Sequence, residues 1–156
     1  MKIIDGGVTA AKGFKAAGMH AGIKKGTKKD MAMIVSSAPC MAAGTFTTNL
    51  VKAAPVKWDQ HVVYEHGEAR AVVVNSGIAN ACTGAEGYGY CEETAKAAAE
   101  ALGIDKDEVL VASTGVIGKQ LPIDTIKKGV KDLSGLLLDT REAATLAAES
   151  IMTTDT

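Results

Sequence analysis

Aromatic residues, long apolar runs and any strong charge imbalance are missing from this sequence. Aromatics make up 4% of its 156 residues. No apolar run approaches the roughly 20 residues that a membrane-spanning helix needs, and residues 1–7 hold no apolar core of signal-peptide length. With 17 basic and 18 acidic residues the net charge is −1, which does not suit a nucleic-acid or anionic-membrane partner. We therefore expect a soluble protein that binds neither nucleic acid nor membrane.

Paired cysteines are also missing. The three cysteines are Cys40, Cys82 and Cys91, and an odd number without close pairing argues against a disulfide framework. No Cys-x-x-Cys occurs, which argues against a structural zinc site. Unpaired cysteines are typical of a reducing compartment, so we expect a cytoplasmic protein.

Several common site motifs are absent as well. There is no phosphate-binding GxxxxGK[ST] loop, no dinucleotide-binding GxGxxG after a strand, and no GxSxG nucleophile elbow. His20, His61 and His66 show no metal-ligand spacing with one another or with carboxylates, so we expect ordinary histidines and no metal site. The lysine cluster at 24–29 is interpreted as a solvated surface, the default for short charge runs.

Hydrophobic residues make up 47% of the sequence, which is enough to form the core of one domain over residues 1–156. Thr83 and Glu86 match a capping box that opens a helix, and Gly103 is a natural end for it. Pro122 suits the first turn of another helix. The predicted strands are residues 31–36, 44–48, 61–64, 71–74 and 109–113, and the predicted helices begin at 83, at 122 and at about 140. Strand–helix alternation in the second half indicates the α/β class.

Two turns that follow buried strands could carry chemistry. Residues 75–84 (NSGIANACTG) could hold a ligand or could equally be a tight strand–helix connection. Residues 113–118 (STGVIG) combine a hydroxyl from Thr114 with the unshielded N–H of Gly115, two donors that a developing oxyanion needs. The same letters also occur in plain turns. Ser113, Thr114 and Ser76 lack a neighbouring base in the sequence, so none of them is a convincing nucleophile.

Ordered motifs across nearly the whole chain resemble the ornithine acetyltransferase family, the bifunctional glutamate N-acetyltransferases of arginine biosynthesis. The chain departs from the family pattern at Ala11, where Pro is usual, and at Ile78, where Asn is usual. The matching segments are GVTA (7–10), KGF (12–14), AAG (16–18), AGIK (21–24), AGTFTTN (43–49), VKAAPV (51–56), NSG (75–77), ANACTG (79–84), STGVIG (113–118), LP (121–122) and IMTTD (151–155).

This resemblance implies an α/β fold, a layered sheet-and-helix sandwich, and a self-cleaving precursor whose β chain begins with a nucleophilic Thr. It implies that the α chain provides the oxyanion hole at Thr114 and Gly115, while Thr153 contacts substrate. The implied reaction moves the acetyl group of N2-acetyl-L-ornithine to L-glutamate without metal or organic cofactor, in an α2β2 heterotetramer. Some family members also accept acetyl-CoA as donor.

By the same resemblance the chain is the N-terminal part of an α chain, with the nucleophile-bearing β chain absent. Two other functions remain open on the sequence. One is a self-cleaving amide hydrolase or aminopeptidase that uses water as acceptor. The other is a non-catalytic module that binds a small ligand.

Overall fold

The structure is a computed structural model that describes residues 6–154. Asp155, the last residue of the IMTTD motif, lies outside the described residues. Four strands form one mixed sheet in the order β1-β2-β3-β4, and the α/β class is confirmed. The strands are β1 (Phe14–Met19), β2 (Met31–Met41), β3 (Glu68–Ile78) and β4 (Val109–Val116). The helices are α1 (Ala54–His61), α2 (Gly84–Leu102), α3 (Ile123–Ser134) and α4 (Arg141–Ile151).

The strand directions follow from the connections. β1 and β2 pair antiparallel, as do β2 and β3, whereas β3 and β4 run parallel. Parallel neighbours need a long crossover, and α2 provides it in a β3–α2–β4 unit. The predicted strands at 31–36, 71–74 and 109–113 are confirmed as parts of β2, β3 and β4.

Helices cover both faces of the sheet. Successive strand residues point to opposite faces, so Met31 and Met33 join the main core while Ala32 joins a smaller one. The main core lies between the sheet and α1, α2 and α3, and it buries Trp58. The smaller core packs α4 onto the other face through Ala147. Within residues 6–154 no helix has the length and apolarity to cross a membrane.

Two predicted strands are wrong. Residues 44–48 form an irregular segment. Residues 61–64 are helical, since His61 ends α1 and a π-helical turn follows at Val62–His66. Val62 is fully buried there, so burial of a helical face favours the helix over the strand preference of β-branched residues.

The three predicted helices of the second half are present. Gly103 ends α2 in the left-handed conformation, as predicted, and Pro122 immediately precedes α3. The predicted capping box of α2 is wrong, because the Thr83 side chain makes no cap bond to the helix. Its hydroxyl instead donates to the side-chain oxygen of Asn80 at 2.7 Å.

Candidate functional site

The carboxyl ends of the parallel strands β3 and β4 lie side by side. In the register, Ser76 faces Thr114 and Gly77 faces Gly115. Ligands of α/β sheets bind outside such strand ends. Thr114 is exposed at this edge, so its hydroxyl is available to a ligand.

Gly115 is required at this position for two reasons. Its backbone φ is +131°, a value that residues other than glycine rarely adopt. An added Cβ would also overlap the carbonyl carbon of Gly77 and lie 2.7 Å from the nitrogen of Ile78. The absence of a side chain therefore lets the two strand ends approach and leaves the Gly115 backbone unshielded.

An open cleft of about 570 Å³ lies over these strand ends. It contains all three residues that the sequence singled out, Thr114, Gly115 and Thr153. Its full lining is Gly77, Thr114, Gly115 and Val116 from the strands, Lys24, Lys25 and Lys28 from the β1–β2 loop, and Thr153 and Thr154 after α4. Thr114, Gly115 and the distant Thr153 thus share one surface.

Helix α4 brings Thr153 to the cleft. The Thr140 hydroxyl caps the start of α4 by accepting from the Ala143 N–H at 3.2 Å. At the other end the buried Ser76 hydroxyl donates to the Ser150 carbonyl at 2.5 Å. Since Ser76 lies opposite Thr114 in the sheet, this bond fixes the end of α4 beside Thr114 and Gly115.

The buried carboxylate of Asp30 organises the loop that forms the lysine side of the cleft. It accepts backbone N–H bonds from Ala21 at 2.6 Å, from Ile23 at 2.7 Å and from Lys24 at 2.8 Å. The Asp30 carbonyl also accepts from the Ser76 N–H at 2.8 Å, which ties this loop to β3. Asp30 was not predicted as a site residue, since its only sequence signal is an acidic residue between a Gly- and Lys-rich segment and an apolar strand.

The lysine cluster is only partly the solvated surface that was predicted. Lys25 and Lys28 are exposed, as predicted, but they line the cleft. Lys24 is half-buried, and its ammonium donates to the Met152 carbonyl at 2.5 Å and to the Lys29 carbonyl at 3.0 Å. Lys29 pairs with Glu149 of α4 at 2.8 Å. Lys24 and Lys29 therefore join the loop to the segment that carries Thr153.

The turn at 75–84 is mostly an internal connection. The Asn75 amide donates to the Ile78 carbonyl at 2.8 Å, and the Asn80 amide donates to the Gly87 carbonyl at 2.8 Å. Ile78, which replaces the family's usual Asn, is 6% exposed and packs in the main core. These buried groups satisfy one another, and Gly77 alone of the turn lines the cleft.

The two serines beside the cleft, Ser76 and Ser113, donate to neutral oxygen acceptors. Ser113 donates to the side-chain oxygen of Asn75 at 2.6 Å, and Ser76 donates to the carbonyl noted above. Neither of these acceptors is a base that would activate a hydroxyl as a nucleophile.

The most perturbed titratable groups lie beneath the sheet rather than in the cleft. Burial raises the pKa of Asp59 to about 6, although the Val111 N–H donates to its carboxylate at 3.0 Å. Burial, with the nearby Asp59 charge, raises the pKa of Cys91 to about 12. Cys40, Cys82 and Cys91 are all unpaired thiols, as predicted. The buried Cys91 thiol therefore stays protonated at neutral pH and belongs to the core.

Sequence comparison connects the chain to one family. A model of the ArgJ family matches residues 15–156. The chain is 53% identical over 152 residues to the arginine biosynthesis bifunctional protein ArgJ of Gloeobacter violaceus, covering 97% of this chain and 37% of the relative. It is 52% identical to the ArgJ protein of Symbiobacterium thermophilum, covering 100% of this chain and 39% of the relative. The chain thus spans less than two-fifths of the length of these relatives.

Solved structures of related proteins share the fold. The arginine biosynthesis bifunctional protein ArgJ of Bacillus halodurans superposes with a TM-score of 0.93 at 43% identity, over 100% of this chain and 80% of that one. An ornithine acetyltransferase of Mycobacterium tuberculosis, solved in complex with ornithine, gives a TM-score of 0.92 at 46% identity. That match covers 96% of this chain and 80% of the other.

Proposed function

The chain belongs to the ArgJ family, and we propose that it supplies the oxyanion-binding half of an acyltransferase active site. The proposed reaction transfers the acetyl group of N2-acetyl-L-ornithine to L-glutamate in arginine biosynthesis. The observation that carries this proposal is the shared cleft, which contains Thr114, Gly115 and Thr153. Ornithine bound to the Mycobacterium tuberculosis relative supports the substrate class.

The Thr114 hydroxyl and the Gly115 N–H are the proposed oxyanion donors. When a nucleophile adds to the acetyl carbonyl, the π electron pair moves to oxygen, and the two donors stabilise the resulting negative charge. Such donors act strongly because they are already oriented before the charge develops. The pairing of Gly115 with Gly77 in the β3–β4 ladder holds this backbone in place.

The nucleophile is proposed to be the N-terminal Thr of a β chain released by self-cleavage of a precursor, in an α2β2 heterotetramer. Its hydroxyl oxygen bonds to the acetyl carbon while its own amino group takes the proton. Collapse of the tetrahedral intermediate breaks the amide bond while the Thr amino group passes that proton to the leaving nitrogen, so ornithine leaves with a neutral α-amino group. The amino group of glutamate then attacks the acetyl ester, forms N-acetylglutamate and restores the Thr hydroxyl.

Substrate carboxylates are proposed to bind the lysine side of the cleft. Both N2-acetyl-L-ornithine and L-glutamate carry an α-carboxylate, and exposed ammonium groups of Lys25 and Lys28 line the cleft. Charge-assisted bonds to carboxylates are among the stronger hydrogen bonds in proteins. Thr153, which also lines the cleft, is the proposed neutral contact to substrate.

Removal of the Thr114 hydroxyl tests this function. The protein, expressed in its native reading frame, is assayed for acetyl transfer to glutamate as wild type, Thr114→Ala and Thr114→Ser. We expect Thr114→Ala to lose transfer and Thr114→Ser to retain part of it, since Ser keeps the donor. Thr145→Ala, on an exposed face of α4 outside the cleft lining, is the matched control and should retain activity.

The products distinguish the alternatives. Release of acetate or peptide products at a rate independent of glutamate would replace the transferase by an amide hydrolase or aminopeptidase. Undiminished transfer in Thr114→Ala would overturn the oxyanion assignment. Binding of ornithine without turnover in any variant would favour a non-catalytic ligand-binding module. Acetyl-CoA is tested as a second donor in the same assay.

A further inference from the structure

A second group of converging polar side chains lies at the opposite end of β4 from the cleft. Asp107 belongs to a short 3-10 turn (Lys106–Glu108) that directly precedes β4, whereas Thr114 lies near the end of that strand. The five steps along the strand from Val109 to Thr114 span about 17 Å at roughly 3.3 Å per residue. The group is therefore separate from the proposed oxyanion site.

His61, His66 and Asp107 form this group, with one potential ligand atom of each within 4.8 Å of the others. The Nε2 atom of His61 is 3.5 Å from one Asp107 carboxylate oxygen, and Nε2 of His66 is 3.5 Å from the other. An N–H···O hydrogen bond is normally about 2.7–3.2 Å. Two ligands of a tetrahedral ion with bonds of about 2.0–2.1 Å lie roughly 3.3–3.5 Å apart. The 3.5 Å between Nε2 of His66 and its facing Asp107 oxygen therefore matches the spacing of two ligands of one ion.

The π-helical turn explains why sequence spacing did not reveal the pair. Residues four apart share a face of an α-helix, but His61 and His66 are five apart. The π-helical turn at Val62–His66 widens the helix locally, and the two rings pack 5.3 Å apart. The sequence predicted no metal-ligand spacing for these histidines, but the π-helical turn brings His61 and His66 together beside Asp107. Such turns are frequent at functional sites.

A carboxylate behind His61 completes the arrangement. The Glu65 carboxylate lies 3.0 Å from the Nδ1 atom of His61. Metal-binding histidines almost always use their second ring nitrogen in this way, which orients the ring and leaves Nε2 for the metal. The side chains of His61, His66 and Asp107 are 29%, 42% and 18% exposed, so an ion can reach them from solvent.

We propose that His61, His66 and Asp107 bind a divalent transition metal ion of the Zn²⁺ type. Two imidazoles and one carboxylate match the ligands preferred by Zn²⁺ and disfavour Mg²⁺ and Ca²⁺, which take oxygen ligands. Lys106 contacts the Oδ1 atom of Asp107 at 2.7 Å, the same oxygen that faces His61, so the Oδ2 atom, which faces His66, is the carboxylate oxygen offered to the ion. The ion would tie the end of α1 to the turn that begins β4, and the ammonium of Lys106 would weaken its binding by charge repulsion.

Isothermal titration calorimetry with Zn²⁺ tests this site. The protein is expressed from its full-length gene. We expect one Zn²⁺ site in the wild type and at least a tenfold loss of affinity in His66→Gln. Glu65→Gln should lose roughly 10- to 100-fold, the usual effect of removing such a supporting carboxylate. Lys106→Met should bind more tightly than the wild type. His20→Gln, which changes the one other histidine, is the matched control and should bind as the wild type does.

Two readouts guard against loss of folding and unrelated binding. Glu65 is 67% exposed, so Glu65→Gln keeps the fold while it tests the site, and circular dichroism checks this. The cysteines are the same in every variant, so thiol binding of Zn²⁺ cancels in the comparison. Equal Zn²⁺ affinity in the wild type, His66→Gln and Glu65→Gln would overturn the proposal and leave an ion-pair cluster. Equal affinity for Mg²⁺ and Zn²⁺ would overturn it as well.

Discussion

Gly18 of β1 lies directly against the backbone of α4, and a methyl group there should displace the helix. An added Cβ would overlap the Leu146 carbonyl and lie 2.5 Å from the Ser150 hydroxyl oxygen. Non-bonded heavy atoms need roughly 3.5 Å, so α4 must move by about 1 Å. Overpacking of this kind costs about 1–3 kcal/mol.

The displacement should also reach the cleft. α4 ends at Ile151, and Thr153 follows two residues later, so a shift of the helix moves the proposed substrate contact. Misplacement by about 1 Å can cost roughly 100-fold in rate. We therefore expect Gly18→Ala to lower kcat/KM for acetyl transfer by at least about tenfold, in addition to its loss of stability.

Gly89→Ala is the matched control, because nothing lies within 4 Å of a Cβ placed at this helical glycine of α2. Replacing a glycine inside a helix by alanine stabilises by about 0.8–1.0 kcal/mol. Urea unfolding should therefore give opposite signs for the two variants, and only Gly18→Ala should lose activity. Equal midpoints and equal kcat/KM would refute the account of how α4 packs.

Three further predictions concern the core and the cleft walls. Asp59→Asn should stabilise the protein at pH 7.5 by about 1–2 kcal/mol. The pKa of Asp59 is raised to about 6, so the free energy of unfolding of the wild type should fall as pH rises from 4 to 6. The variant should lack this pH dependence. Asp30→Asn should lower the free energy of unfolding by about 2–4 kcal/mol and raise KM. The amide would leave backbone N–H groups unpaired in the β1–β2 loop that carries Lys24, Lys25 and Lys28, called the lysine loop below. Gly115→Ala should cost about 2–5 kcal/mol from strained φ and overlap with β3.

Urea unfolding across pH and steady-state kinetics check these three. A wild-type stability that rises from pH 4 to 6 would contradict the account of Asp59, whose folded state holds the proton more tightly than the unfolded chain. Unchanged KM in Asp30→Asn would show that the lysine loop does not contact substrate. A loss below about 0.5 kcal/mol in Gly115→Ala, the usual range for surface changes, would contradict the tight approach of β3 and β4.

The regular elements were predictable where local pattern and packing agree. The apolar run at 71–74 became part of β3, and Gly103 ended α2, because each preference coincides with the final environment. The strand predicted at 61–64 is wrong because the strand preference of Val62 and its neighbours is outweighed by burial of a helical face. Thr83 was predicted to cap α2, but its hydroxyl donates to the side-chain oxygen of Asn80 instead.

The site was predictable only in part. Thr114, Gly115 and Thr153 came from motifs, and the cleft contains all three. Asp30 could not be found, because its three backbone partners depend on the folded path of the loop. The bond from Lys24 to the Met152 carbonyl joins residues 128 apart in the chain, which no local pattern reveals.

The central claim, that Thr114 stabilises the oxyanion of acetyl transfer, is tested most directly by the single-turnover rate of acetyl-enzyme formation. In Thr114→Ala, with N2-acetyl-L-ornithine as donor, the account predicts a rate about 100- to 1,000-fold below the wild type. The dissociation constant of the donor should change by less than about threefold, since the lost bond acts mainly in the transition state. A wild-type rate, or a loss seen only in donor binding, would contradict the claim.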